Sequence, residues 1–346
     1  MDRKIKAPTI KDIAQKAGVS NATVSRAINR EEGLNPATRE RILAIARQLQ
    51  YYPNLQARGL VARRPEAVGI VIPHSSEFAL SNPFYSEVLK GIGSKINKEK
   101  QYLVLSFLQR ENYARMYHSR LAAGLIVLGN RIDDPGIEEA RKNQVPLVLI
   151  PGDPLKNDVA SVDADHYDGV RQAVNHLIQL GHREIGLLRG PMNSKYSTER
   201  LDAFRRVLKR HALPYHEEWV IEYDFTPEGA YAGVKKHFSN GILPTGLLLM
   251  NDFSAMGVLR AFEEMGCAVP EDISIIGFGD VPLATLIDPA LTTVREPFKE
   301  IGYQAADNLL KMIRGKRVGA KHVVLPVELI VRKSTAPPPS KKRRNG

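Results

Sequence analysis

The chain has 346 residues and a single cysteine, Cys267, so no disulfide can form within it, as expected of a protein kept in a reducing compartment. Its formal charge of +11 is unevenly placed: residues 1–65 carry +8, residues 336–346 carry +4, and everything between carries −1. The longest apolar run, near residues 121–128, is too short to span a bilayer, and the N-terminus lacks an apolar signal segment. A cytoplasmic protein whose two ends meet a polyanion is expected.

Residues Thr9 to Asn29 are the most informative stretch. Ile10, Ile13, Ala14 and Ala17 recur at helical spacing, and Gly18 stops that helix as a C-terminal glycine does. Ser20 is a fitting N-cap for a second helix, in which Val24, Ala27 and Ile28 form an apolar stripe. Asn21, Ala22, Ser25, Arg26 and Asn29 form the opposite face. Ala14, Ala17 and Gly18 are small enough for the two helices to approach closely. A helix-turn-helix presents such a face to the major groove, where Asn and Arg read adenine and guanine edges. A plain helical hairpin with a solvated face is the alternative. Asn35-Pro36 starts a third helix with its core stripe at Ile42, Ile45, Ala46 and Leu49.

The motif, together with the following Tyr52-Pro53-Asn54-Leu55-Gln56-Ala57-Arg58-Gly59-Leu60, resembles the lac repressor (LacI/GalR) family of bacterial transcription regulators, and the resemblance runs to about Ser334. It implies an all-α helix-turn-helix headpiece over residues 8–52 and a hinge helix and linker over 53–65. It also implies that Leu60 wedges into the minor groove, where an apolar side chain unstacks a base step and kinks the duplex. The implied DNA-contacting set is Thr9, Ser20, Asn21, Ala22, Thr23, Ser25, Arg26, Asn29, Asn54, Ala57, Arg58 and Leu60. The implied partners are double-stranded operator DNA, a small-molecule effector and a second copy of the chain, with no cofactor and no metal. The protein would be nucleoid-associated when bound.

From Ala67 onward short β-rich runs alternate with helical stretches. Strands are predicted at 68–72, 102–108, 125–128, 147–150, 184–188, 220–223, 247–250 and 273–278. Helices are predicted at 84–96, 110–121, 136–142, 167–180, 198–211, 228–238, 253–265 and 298–313. Continuous apolar strands between helices mean parallel sheets covered on both faces. The resemblance sharpens this to a periplasmic-binding-protein-like core of two doubly wound α/β lobes. Residues 66–163 plus 295–320 form one lobe and 164–292 plus 321–334 the other, with crossings near Asp163, near Thr292 to Val294 and near residue 320. Residues 335–346 are expected to be a disordered basic tail.

In open α/β sheets ligands bind beyond the carboxyl ends of the strands. The residues expected to hold the effector are Phe84, Tyr196, Arg200, Asn251 and Asp280, and the resemblance implies ring-stacking aromatics at Phe225 and Phe298. Arg200 offers a planar fork of donors, Asn251 a donor and an acceptor, and the aromatics offer faces for apolar C–H surfaces. The family often has an aspartate where this chain has Gly279. Either Asp280 substitutes, or a ligand hydroxyl loses its acceptor. Ser81 to Gly91 and Gly129 to Asp134 look like the maltose or α-glucoside regulators of the family, so a maltose-type oligosaccharide is the expected effector.

Enzymatic readings are weaker. Gly277-x-Gly279 is too short for a dinucleotide fingerprint, no P-loop occurs, and the nine histidines show no paired metal spacing. A sugar-binding transport protein, a sugar-processing enzyme and a non-specific DNA architectural protein are the alternatives. The first should carry a signal peptide and no headpiece, the second should turn its ligand over, and the third should show no sequence preference.

Overall fold

The computed structural model describes residues 8–28, 33–51, 65, 67–107, 112–129, 131–152, 158–238 and 243–339. These divide into two compact units, Met1–Glu66 and Ala67–Gly346.

In the first unit α1 (Ile10–Ala17), α2 (Asn21–Ile28) and α3 (Pro36–Gln48) enclose a small core of Ile13, Ala14, Ala17, Val24, Ala27, Ile42 and Ala46. Local chemistry sets each boundary. The Asp12 carboxylate accepts the Thr9 backbone N–H at 2.7 Å, satisfying a donor ahead of α1. Gly18 ends that helix at φ +64°, where a side chain would be strained. Ser20 Oγ accepts the Thr23 N–H at 3.2 Å, and Asn35 Oδ1 accepts the Ala37 N–H at 2.9 Å with Pro36 opening α3. Asn29 and the hinge expected over 53–65, Pro65 excepted, lie outside the described residues, as do Asn54, Ala57, Arg58 and Leu60.

The second unit holds two six-stranded sheets. One runs β2-β1-β3-β4-β5-β11, with β1 Ala67–Val71, β2 Tyr102–Ser106, β3 Leu125–Leu128, β4 Leu147–Ile150, β5 Ala160–Ala164 and β11 His322–Leu325. The other runs β7-β6-β8-β9-β10-β12, with β6 Ile185–Arg189, β7 Val220–Glu222, β8 Gly246–Leu249, β9 Ser274–Gly279, β10 Thr292–Arg295 and β12 Glu328–Ile330. Both lobes therefore use the doubly wound order 2-1-3-4-5, whose switch point lies between the first and third strands of each. Every residue of β3, β4, β8 and β9 is buried, as strands covered by helices on both faces must be.

The structure corrects several expectations. β11 pairs in parallel with β5 of the first sheet, so the third crossing falls between Leu325 and Glu328 rather than near residue 320. β12 then pairs antiparallel with β10, the one departure from parallel pairing among the described strands. The second crossing follows Arg295, at the end of β10. The helix expected at 110–121 shrinks to Tyr113–His118 within the described residues, and a helix at Ser76–Ser81 was not foreseen. The start of the tail is anchored: the Ala336 carbonyl accepts from His182 Nε2 at 2.8 Å, and its N–H donates to Ser274 Oγ at 3.0 Å. β2 is an edge strand that exposes Tyr102, Leu103 and Leu105 instead of burying them.

The helix Phe298–Ile313 returns to the first lobe and crosses Pro83–Lys98 at two glycines. A Cβ on Gly91 would lie 1.9 Å from the Lys299 carbonyl oxygen, and one on Gly302 would lie 2.1 Å from that of Val88. Both obstacles are backbone and cannot swing away. Gly302→Ala should therefore lower stability by about 1–3 kcal/mol. Gly93→Ala, with nothing within 4 Å of the new methyl, should leave it unchanged or raise it by about 0.5–1 kcal/mol. Urea unfolding midpoints distinguish the two outcomes.

Candidate functional site

Two regions gather the residues singled out by sequence. In the first unit α2 buries Val24 and Ala27 and leaves Asn21, Ala22 and Arg26 exposed on its other side, with Thr23 and Ser25 half-buried. Thr9 and Ser20 are exposed at the N-termini of α1 and α2. The helix is thus anchored through one stripe and presents a contiguous hydrogen-bonding face, as groove reading requires.

In the second unit a cavity of about 410 Å³ opens among the loops that follow the strands of both sheets. Phe84, Tyr196, Arg200, Phe225, Asn251 and Phe298 all line it. Phe84 meets Tyr196 and Phe298 edge to face, with ring centroids 5.8 and 5.3 Å apart, which makes one aromatic wall. Phe225 supplies another. It is held at φ +68°, unfavourable for a bulky side chain and costing of order 1–3 kcal/mol, and its ring fills the space that a side chain on Gly190 would need. Asn251 steadies that loop: its Nδ2 donates to the Phe225 carbonyl at 3.4 Å and its Oδ1 accepts the Ser254 N–H at 2.7 Å.

Asp280 is not part of the cavity wall. Its carboxylate accepts from Arg295 Nε at 2.7 Å and Arg332 Nη2 at 2.6 Å, tying β9 to its neighbours. Gly279 sits at φ +128°, a conformation suited to glycine, and a Cβ there would meet the Phe298 ring at 3.2 Å. The acidic residue nearest Gly279 that does line the cavity is Asp252, whose Oδ2 lies 3.5 Å from where that Cβ would be.

Arg200 is almost wholly buried, beneath the cavity. Its Nη1 donates to the Met250 carbonyl at 2.6 Å, its Nη2 to Glu296 Oε1 at 2.9 Å and to His166 Nδ1 at 3.1 Å, and its guanidinium lies 3.7 Å from the Phe278 ring centre. Because Nδ1 of His166 accepts, its Nε2–H is the donor to Asp163 Oδ1 at 2.9 Å. Lys195 reaches Asp163 at 3.3 Å and Glu199 at 3.0 Å. Burial raises the Asp163 carboxyl, but His166 and Lys195 outweigh it and hold it below the usual carboxylate range. Asp163, His166 and Glu199 are close enough to share a metal ion, yet the Lys195 ammonium already serves both carboxylates. Glu296 follows β10, Asp163 lies on β5 and His166 opens the next helix, so this network straps together the first two crossings between the lobes.

Sequence reasoning missed His74, His166 and Glu296, and gave no ligand role to Arg131 or Asp252, although both lay in stretches it marked. His74 and Arg131 follow the carboxyl ends of β1 and β3, so the strand-end rule could have found them. The lobes also touch through backbone: Arg131 bridges Ser194, and the Ile132 N–H donates to the Asn193 carbonyl at 2.8 Å.

Burial pushes the Asp252 carboxyl up to about 7, with Asp280 and Glu296 adding to it, against hydrogen bonds from Thr293 at 2.5 Å and the Val281 N–H at 2.9 Å. The folded chain therefore keeps a proton that the unfolded chain releases near 3.8. Stability from this group should fall as pH rises between those values and level off above about 7. Asp252→Asn, which can donate to Thr293 and accept from Val281, should flatten that slope in thermal melts taken across pH. An unchanged slope would contradict the assignment.

Comparison with known proteins agrees with this geometry. Residues 9–54 match the description "Bacterial regulatory proteins, lacI family", and residues 174–335 match "Periplasmic binding protein-like domain". Catabolite control protein A of Priestia megaterium is 31% identical over 94% of this chain and 99% of its own length. The HTH-type transcriptional repressor PurR of Haemophilus influenzae (strain PittEE) is 31% identical over 94% of this chain and 98% of its own. A crystal structure of the lac repressor dimer bound to operator and the anti-inducer ONPF covers 96% of this chain and all of that one, with TM-score 0.85 at 30% identity. These relatives are transcriptional regulators, not enzymes, and no helix among the described residues is long and apolar enough to cross a membrane. The chain belongs to the lacI family of bacterial regulatory proteins.

Proposed function

We propose that the chain is a sequence-specific repressor whose affinity for a pseudopalindromic operator is set by a sugar bound in the cavity. Asn21, Ala22 and Arg26 read base edges in the major groove, while Thr9, Ser20, Thr23 and Ser25 contact the backbone. Asn54, Ala57, Arg58 and Leu60 of the segment 53–65 contact DNA, with Leu60 at the central step. The observation that carries the reading is the buried strap of Arg200, Glu296, His166 and Asp163. It lies under the cavity and joins the lobe crossings, so a ligand with different affinity for two lobe arrangements acts directly on the segments that must move.

The paired aromatic walls and the amide of Asn251 suit a sugar, with the maltose-type oligosaccharide as the neutral member of that class. The relative CelR has been solved in complex with cellobiose, at 29% identity and TM-score 0.74. A homodimer supplies the two headpieces that a pseudopalindrome needs, and the exposed apolar edge of β2 is a surface a second copy covers.

Arg26→Ala should weaken operator binding by about 1–3 kcal/mol and relax the preference at one base position. Arg200→Lys, which keeps the charge but loses the planar fork, should leave operator binding near normal and blunt its response to sugar. Fluorescence anisotropy with operator and single-base variants measures both. Unchanged base preference in Arg26→Ala would sink the reading role of α2.

A further inference from the structure

We propose that the sugar held by this cavity carries an anionic group, a phosphate or a carboxylate, and that Arg131 is the residue that binds it. The inference rests on the reading of the cavity as a sugar site and narrows the ligand class.

One of the two arginines that line the cavity has no carboxylate partner among the described residues. The two are Arg131 and Arg200, and Arg200 is matched by Glu296 at 2.9 Å. The other acidic residues of the wall are turned to neutral donors and none is paired with Arg131. Asp252 accepts from Thr293 and from the Val281 N–H, and Asp224 accepts from the Thr226 N–H at 3.0 Å. Arg131 has no carboxylate within ion-pair distance among the described residues. Its one assigned side-chain neighbour is His74, whose Nδ1 lies 3.5 Å from Nη2.

His74 cannot act as the counter-charge. Its Nε2 donates to the Gly129 carbonyl at 2.9 Å, which leaves Nδ1 bare and turned to the guanidinium. Burial holds its pKa below the ordinary histidine value and Arg131 adds to that, while the Gly129 hydrogen bond only partly opposes them. His74 is therefore a positioning residue for Arg131. It is itself packed at 5.0 Å from Phe78 and 6.1 Å from Tyr85.

Position supports the same conclusion. His74 follows β1 and Arg131 follows β3, so the pair flanks the switch point of the first sheet, where doubly wound lobes bind ligands. A guanidinium stays charged at any physiological pH, and it pairs with phosphate or carboxylate through two parallel N–H donors. An anion on the ligand supplies the missing counter-charge at one end of the cavity. The sugar body then extends toward Phe225 and Asn251.

Calorimetry on the full chain tests this with matched pairs: maltose against maltose 6′-phosphate, glucose against glucose 6-phosphate and glucuronate, and inorganic phosphate alone. The anionic member of a pair should bind about 10- to 100-fold more tightly. Arg131→Gln should abolish that difference by bringing the anionic member down to the affinity of the neutral one, and the phosphate and glucuronate arms separate the two anion types. Equal affinity for neutral and anionic members, or a preference that survives Arg131→Gln, overturns the proposal. If neutral sugars alone bind and shift operator affinity, the regulator reading stands and the anion assignment falls. If no sugar binds or shifts operator affinity, both fall.

Discussion

A guanidinium buried with 4% of its surface exposed is tolerable only while its charge is matched, and Glu296 is what matches Arg200. Removing one partner of such a pair costs about 3–5 kcal/mol, because the other charge is then stranded in a low dielectric. Much of the second unit is arranged around meeting that condition. Phe278 covers the face of the guanidinium, Met250 offers a carbonyl, and His166 offers a bare nitrogen whose opposite edge is held by Asp163. Each partner comes from a different element, so satisfying one side chain fixes the spacing of β5, β8, β9 and the crossing after β10.

That constraint explains why the cavity and the crossings cannot be treated separately. The cavity wall and the crossings between the lobes share the same buried hydrogen bonds. A ligand that changes the orientation of Arg200 must either keep its three acceptors or rearrange the crossings with it. The backbone contacts of Arg131 with Ser194 and of Ile132 with Asn193 add a second tie across the mouth of the cavity. Two ties of this kind make the lobe arrangement more naturally two-state than continuously variable.

The legible part of the chain was the part governed by local periodicity. The caps at Ser20 and Asn35, the stop at Gly18 and the apolar strands from Val68 to Phe278 follow from nearest-neighbour chemistry, and elements appeared within a few residues of expectation. Six of the seven residues expected around the cavity line it, because strand ends in parallel sheets converge. Asp280 failed for a reason invisible in sequence: two arginines from distant segments, Arg295 and Arg332, claim its carboxylate. The pairing of β11 with β5 joins segments far apart in the chain, and the exposure of β2 depends on sheet order, so neither is visible in local sequence. His74 carried no motif, Arg131 lay in a stretch marked only by its resemblance to family members, and only folding brings the two together.

The central claim is that one ligand, bound between the lobes, is energetically coupled to the DNA-reading unit. Reciprocity tests it most directly. Operator affinity is measured with and without saturating ligand, and ligand affinity with and without saturating operator, on the same full-length protein. The account requires the two factors to be equal in size and sign and to differ from one, whichever way the ligand drives the switch. Tight ligand binding with no change in operator affinity, or two unequal factors, would contradict it.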